Sequence, residues 1–144
     1  MDAGGLSPET CRRMLALLDD GWDLHDVEVA DTGFNDVYFL TVGTPAGTRE
    51  CVLKVSDDTD DQVRAEARLC ALLDDATDVP VPTVLGRVDA HPDLPAPYFL
   101  VERLPGEHPE GPPGERSLAS IEGLARATGR HLGDVHTVDA FDAF

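Results

Sequence analysis

Lysine is what this 144-residue sequence lacks. Against 28 aspartates and glutamates it sets ten arginines and a single lysine, Lys54. The resulting charge of -17 at pH 7 repels nucleic-acid backbones and anionic membrane surfaces, so neither is an expected partner. Aspartate outnumbers glutamate, and with lysine nearly absent this composition points to a halophile, whose salt-crowded cytoplasm screens the self-repulsion. Cysteine is scarce as well. Cys11, Cys51 and Cys70 are odd in number and each sits among apolar neighbours, which reads as small buried hydrophobes in a reducing compartment and not as disulfides or a metal site. No apolar run approaches the length of a membrane span and the acidic N-terminus is no signal peptide, so a cytoplasmic protein is expected. The length suits one modest domain with a core of its own and is short for two.

What is present falls into a readable order. Ser7-Pro8-Glu9 starts a helix, with a capping hydroxyl, proline in the first turn and an acid beside it. Cys11, Met14, Leu15 and Leu18 then recur at helical spacing until Gly21. From Leu24 the period changes: LHDVEVAD alternates, with Val27 and Val29 on one face, and reads as a strand. DVYFLTVG is a second strand, TPAG (44–47) a turn, and RECVLKVS a third strand. TDDQVRAEARLCALLDD reads as a helix with Thr59 as its cap and acids in its first turn, and VPVP (79–82) ends it. TVLGRVDA and PYFLVERL are two further strands around the loop HPDLPA. LPGEHPEGPPGERS, dense in proline and glycine, is a linker. A last helix follows, with Leu118, Ile121, Leu124, Ala125, Leu132 and Val135 on one side, and reads as the opening of a second, incomplete domain.

Three features stand out from this scaffold. In the third strand Cys51, Leu53 and Val55 point one way and Val52 and Lys54 the other. A lysine there can be a solvated guard against edge pairing. Yet solvating charges elsewhere in this chain are Asp, Glu or Arg, and a compact ammonium suits a phosphate as a point charge. In the following helix, steps of three and four from Val63 reach Glu66, Cys70 and Leu73, with Leu69 and Leu72 widening the stripe and Arg64 and Arg68 opposite. Glu66 is thereby expected in the middle of the packing face. Such a carboxylate either meets a backbone donor or the rim, or pairs with Lys54; the pairing is the sharper reading. Third, the turn ADTGFNDVYFL offers Gly33, which permits close approach of backbone to ligand, and Asn35, which tolerates the bend; alone it is an ordinary hairpin turn.

Taken in sequence, TGFNDVYFL, the lysine of CVLKV, the glutamate of RAEARLCALL, VPVPTVLG, PYFLVERLPGE and LARATGRHLGDVHTVDAF resemble the N-terminal lobe of the small-molecule kinases of the aminoglycoside phosphotransferase and choline kinase group, over about residues 24–141. These enzymes are similar in fold to protein kinases. The resemblance implies an α+β fold: a five-stranded antiparallel sheet with a packed helix, followed by the first helix of a truncated C-terminal lobe. It divides the chain into an N-terminal helix (1–22), an ATP-binding lobe (23–104), a hinge or linker (105–116) and that first helix (117–144). It further implies that Lys54 contacts the ATP phosphates and Glu66 holds it there, that Gly33, Phe34 and Asn35 lie over the phosphates, and that Val52 and Val101 line the adenine pocket. Main-chain groups of Glu102 and Leu104 would read the adenine edge, and His136 would be structural. No H-x-D-x-x-x-x-N pattern occurs in the sequence, so the resemblance supplies no catalytic base and no metal ligand within these residues; Mg²⁺ would be held by the rest of the larger lobe. The implied reaction of the complete enzyme moves the ATP γ-phosphoryl group to a hydroxyl of a small acceptor, with this chain inactive alone. The alternative is a non-catalytic nucleotide-binding or docking module that pairs with a separate polypeptide carrying the catalytic half.

Overall fold

The first helix forms because its start is chemically marked. Ser7 Oγ accepts the Thr10 N–H at 3.1 Å, Pro8 occupies the first turn, and α1 runs Pro8–Leu18. In full, this computed structural model describes residues 5–30, 36–56, 61–106 and 117–139. After α1 come β1 (Asp23–Val29), β2 (Asp36–Thr44), β3 (Gly47–Val55), α2 (Gln62–Ala76), β4 (Val84–Val88), β5 (Tyr98–Glu102) and α3 (Leu118–His136). The chain divides into two compact units, one comprising residues 1–71 and 82–103, the other 72–81 and 104–144.

In the first unit the five strands form one antiparallel sheet in the order β1-β2-β3-β5-β4. The β2–β3 hairpin turns through Pro45 and Ala46 and closes on the pair Thr44–Gly47, where Gly47 takes a φ of 125° that a side chain would resist. That closure sets the register all the way to Asp36–Val55. One sheet face carries Tyr38, Leu40, Val42, Cys51, Leu53, Val55, Tyr98 and Leu100, and α1 covers it with Cys11, Met14 and Leu15. Two buried tyrosines tie helix to sheet: Tyr98 donates its hydroxyl hydrogen to Met14 O at 3.0 Å, and Tyr38 Oη accepts the Leu6 N–H at 3.1 Å. Burial pushes the Tyr98 phenol up to about 12 and the Cys51 thiol up to about 11, so both stay neutral and the thiol is unreactive. Gly86 lets α1 approach β4: a Cβ there would stand 2.9 Å from Leu18 Cδ2.

The other face is covered in part by α2. Val63 and Ala67 pack on Phe99 and Val101, with Val52 and Val84 at the margin. In the second unit, Ser117 Oγ accepts the Ser120 N–H at 3.2 Å to start α3, and the Thr137 hydroxyl donates to Asp134 O at its end. None of the residues of α3 is buried.

The fold is the expected α+β class with its antiparallel sheet. Val27 and Val29 share one face as expected, opposite Leu40 and Tyr38, with Val27 half-buried and Val29 61% exposed; the register shift between Leu24 and Asp26 brings Leu24 to that face as well. Three expectations for α2 are corrected. The buried line of α2 runs through Val63, Ala67, Cys70 and Leu73, which leaves Glu66 on its flank and Leu69 exposed. Arg64 is not on the solvent side. It lies at the opposite flank, where its guanidinium donates to Asp89 O at 3.2 Å and faces the Asp89 and Asp61 carboxylates. Asp61 precedes α2 and does not belong to its first turn; its carbonyl accepts the Ala65 N–H. Thr59 lies outside the described residues.

Candidate functional site

The α2-covered face is where the chemically loaded side chains gather. Alternation along β3 puts Glu50, Val52 and Lys54 on it, opposite to the core residues Cys51, Leu53 and Val55. Register then supplies their neighbours. Lys54 lies between Val37 of β2 and Phe99 of β5; Val52 lies between Phe39 and Val101; Glu50 lies beside Thr41. Lys54 Nζ is 5.9 Å from the centre of the Phe99 ring, whose apolar body lines the lysine stem and whose π face favours the cation.

Lys54 donates to Glu66 Oε1, joining β3 to the flank of α2. Their side chains are 27% and 36% exposed, so the pair is neither fully wet nor sealed. At that exposure the ion pair is worth about 0.5–1 kcal/mol in stability, too little to explain it as a structural staple alone. Its geometric effect is firmer: a flexible lysine is held at one place on the sheet face, beside Val37 and Phe99. Glu66 occupies one of the ammonium's three donors.

α2 is itself anchored at its start. Arg64 reaches Asp89, just beyond β4, and Asp89 also meets Arg87 Nε at 3.3 Å. This cluster fixes the first turn of the helix that carries Glu66.

Of the other residues singled out by sequence, Val52 and Val101 are direct cross-strand neighbours on the Lys54 face. Glu102 closes β5 with its side chain on the opposite face, 3.8 Å from Arg49, and its N–H is occupied by Thr83 O at 3.0 Å. Leu104 follows β5 as an exposed residue of the second unit. Gly33, Phe34 and Asn35 lie outside the described residues. His136 ends α3.

Three residues on this face were missed. Val37 stands directly across from Lys54, and counting back from the Thr44–Gly47 turn would have located it. Phe39 and Arg103 form a stacked pair, the guanidinium carbon 4.2 Å from the ring centre, and only knowledge that β5 lies beside β3 brings them together. Arg103 also meets Glu50 at 3.6 Å, and Glu50 accepts the Thr41 hydroxyl at 3.0 Å.

Among the described residues no three His, Cys, Asp or Glu side chains converge on one point. Nor is any described helix long and apolar enough to cross a membrane. No curated protein and no solved structure matches the chain. A model of the Phosphotransferase enzyme family matches residues 26–144, from within β1 through α3 to the last residue. The match takes in the lysine strand, the glutamate helix and β5, and the chain belongs to that family of phosphotransferases.

Proposed function

We propose that this chain supplies the ATP-binding part of an ATP-dependent small-molecule kinase, which in the complete enzyme transfers the γ-phosphoryl group to a hydroxyl of a small alcohol, sugar or aminoglycoside-like acceptor. The observation that carries the reading is the Lys54–Glu66 pair on a sheet face whose next row is Val52 and Val101. A cation held at a set position beside an apolar platform is what a nucleotide asks for: charge for its phosphates and dry surface for its base.

In this reading Lys54 binds ATP phosphate oxygens and Glu66 orients it without touching the nucleotide. Val52 and Val101 pack against adenine, joined by Val37. Because Thr83 occupies the Glu102 N–H, Glu102 offers adenine its carbonyl. Leu104, Gly33, Phe34 and Asn35 take their roles, hinge donor and phosphate cover, from family resemblance. Residues 23–104 form the nucleotide lobe, 105–116 the hinge and 117–144 the start of the larger lobe. Mg²⁺, when bound, would neutralise phosphate charge. The sequence contains no Asp-to-Asn catalytic-loop pattern, so these 144 residues bind nucleotide without transferring it. A second reading, a module that docks on a separate catalytic half, is favoured by the exposed Leu118, Ile121, Leu124 and Leu132 of α3.

Calorimetric titration of Mg-ATP tests the site. Wild type binds, and Lys54→Ala loses roughly tenfold or more in affinity, the value of a charge-assisted phosphate contact. Equal binding by both proteins removes Lys54 from the phosphate role.

A further inference from the structure

The face that carries Lys54 also holds an arrangement the roles above leave unused. Arg103 lies over the Phe39 ring at 4.2 Å. Its position is fixed from three directions: its backbone N–H donates to Glu50 O at 3.1 Å, its guanidinium meets Glu50 Oε2 at 3.6 Å, and Glu50 is itself held by the Thr41 hydroxyl. A surface arginine ordinarily roams, whereas this one has one face against an aromatic ring and a carboxylate at its edge. Its side chain nevertheless remains 44% exposed, so the guanidinium is held without being sealed.

Its location gives the arrangement meaning. Phe39 is the cross-strand neighbour of Val52, which neighbours Val101, and Arg103 follows Val101 by two residues on the same face. Arg103 therefore stands at the border of the apolar row assigned to adenine. A planar cation propped on an aromatic ring and still partly exposed can serve as a stacking surface for a nucleobase, which a lysine's point charge cannot.

We propose that Arg103, propped on Phe39 and held by Glu50, is the shelf on which the outer edge of the purine stacks, and so a specificity residue for nucleotide over bare polyphosphate. The proposal rests on the ATP reading of the Lys54 site.

Calorimetric titrations of the full chain with Mg-ATP and with Mg-tripolyphosphate separate the two ideas. Arg103→Ala is expected to weaken ATP binding about five- to tenfold while changing tripolyphosphate binding less than about twofold. Arg103→Lys, which keeps the charge and loses the plane, is expected to recover at most a small part of the ATP loss and guards against a misfolded alanine variant. Lys54→Ala is expected to weaken both ligands. Undiminished ATP binding by Arg103→Ala overturns the shelf alone. So does a parallel loss of both ligands, or full rescue by Arg103→Lys, since each marks Arg103 as mere charge. A wild-type chain that binds neither ligand overturns the ATP reading itself, and the shelf with it.

Discussion

Replacing Tyr98 by phenylalanine isolates one bond between α1 and the sheet, and its effect should reverse sign with pH. The hydroxyl donates to Met14 O at 3.0 Å from a residue that is 1% exposed. Removing it near pH 8 forfeits one buried hydrogen bond, about 1 kcal/mol. Alkaline solution works the other way. Burial raises the phenol from 10 to about 12, so the folded state holds its proton where the unfolded chain has released it. A folded-state value above the unfolded one gives stability that is complete below pH 10 and lost as pH climbs through 12. The rise corresponds to about 2.7 kcal/mol. Phenylalanine has no proton to lose. The variant is therefore less stable than wild type by about 1 kcal/mol at pH 8 and more stable by roughly 1–2 kcal/mol at pH 12. Cys51, raised from 9 to about 11, imposes its own alkaline loss on both proteins equally. Urea unfolding followed by fluorescence of Trp22, the single tryptophan and packed against this core, reads both curves. Parallel curves from pH 8 to 12 would refute the reasoning, because the hydroxyl would then not be sealed by α1.

Two other outcomes follow from charge. A double-mutant cycle of Lys54→Met and Glu66→Gln is expected to give a coupling energy of about 0.5–1 kcal/mol in stability, as the partial exposure of both side chains requires; a coupling above about 3 kcal/mol would mean the pair is sealed. With a net charge of -17, the melting temperature should rise by at least about 5 °C between 0.1 and 2 M KCl, as the screening length falls from about 10 Å to below 3 Å; a flat or falling curve would show that self-repulsion does not limit stability.

Much of this molecule is legible locally. Ser7 and Pro8 mark a helix start by chemistry that needs no partner, and Gly47 marks a turn because few other residues accept its backbone. Period two along β3 correctly separates Lys54 from Leu53. What escapes such reading depends on distant chain. β5 enters the sheet between β3 and β4, so the meeting of Arg103 with Phe39 has no trace in either segment. Glu66 and Arg64 defeat the helical stripe for another reason: long stems let charged heads sit at the flanks of a buried line, and spacing alone does not say which flank. In β1 a bulge breaks the alternation, and alternation was the only signal there.

The paired charges at the ends of β3 and β5 have a consequence for pairing fidelity. Arg49-Glu50 on one strand faces Glu102-Arg103 on the other, bridged crosswise: Arg49 to Glu102 on one face, Glu50 to Arg103 on the other. Slide β5 by one position in the direction that brings Arg103 opposite Arg49, and Glu102 comes opposite Glu50, so both contacts become repulsive together. The same slide would turn Val101 to the α1 side and Leu100 to the α2 side. Four side chains at the strand ends thus weigh against that slip, and the place of Lys54 beside Phe99 depends on the native alignment.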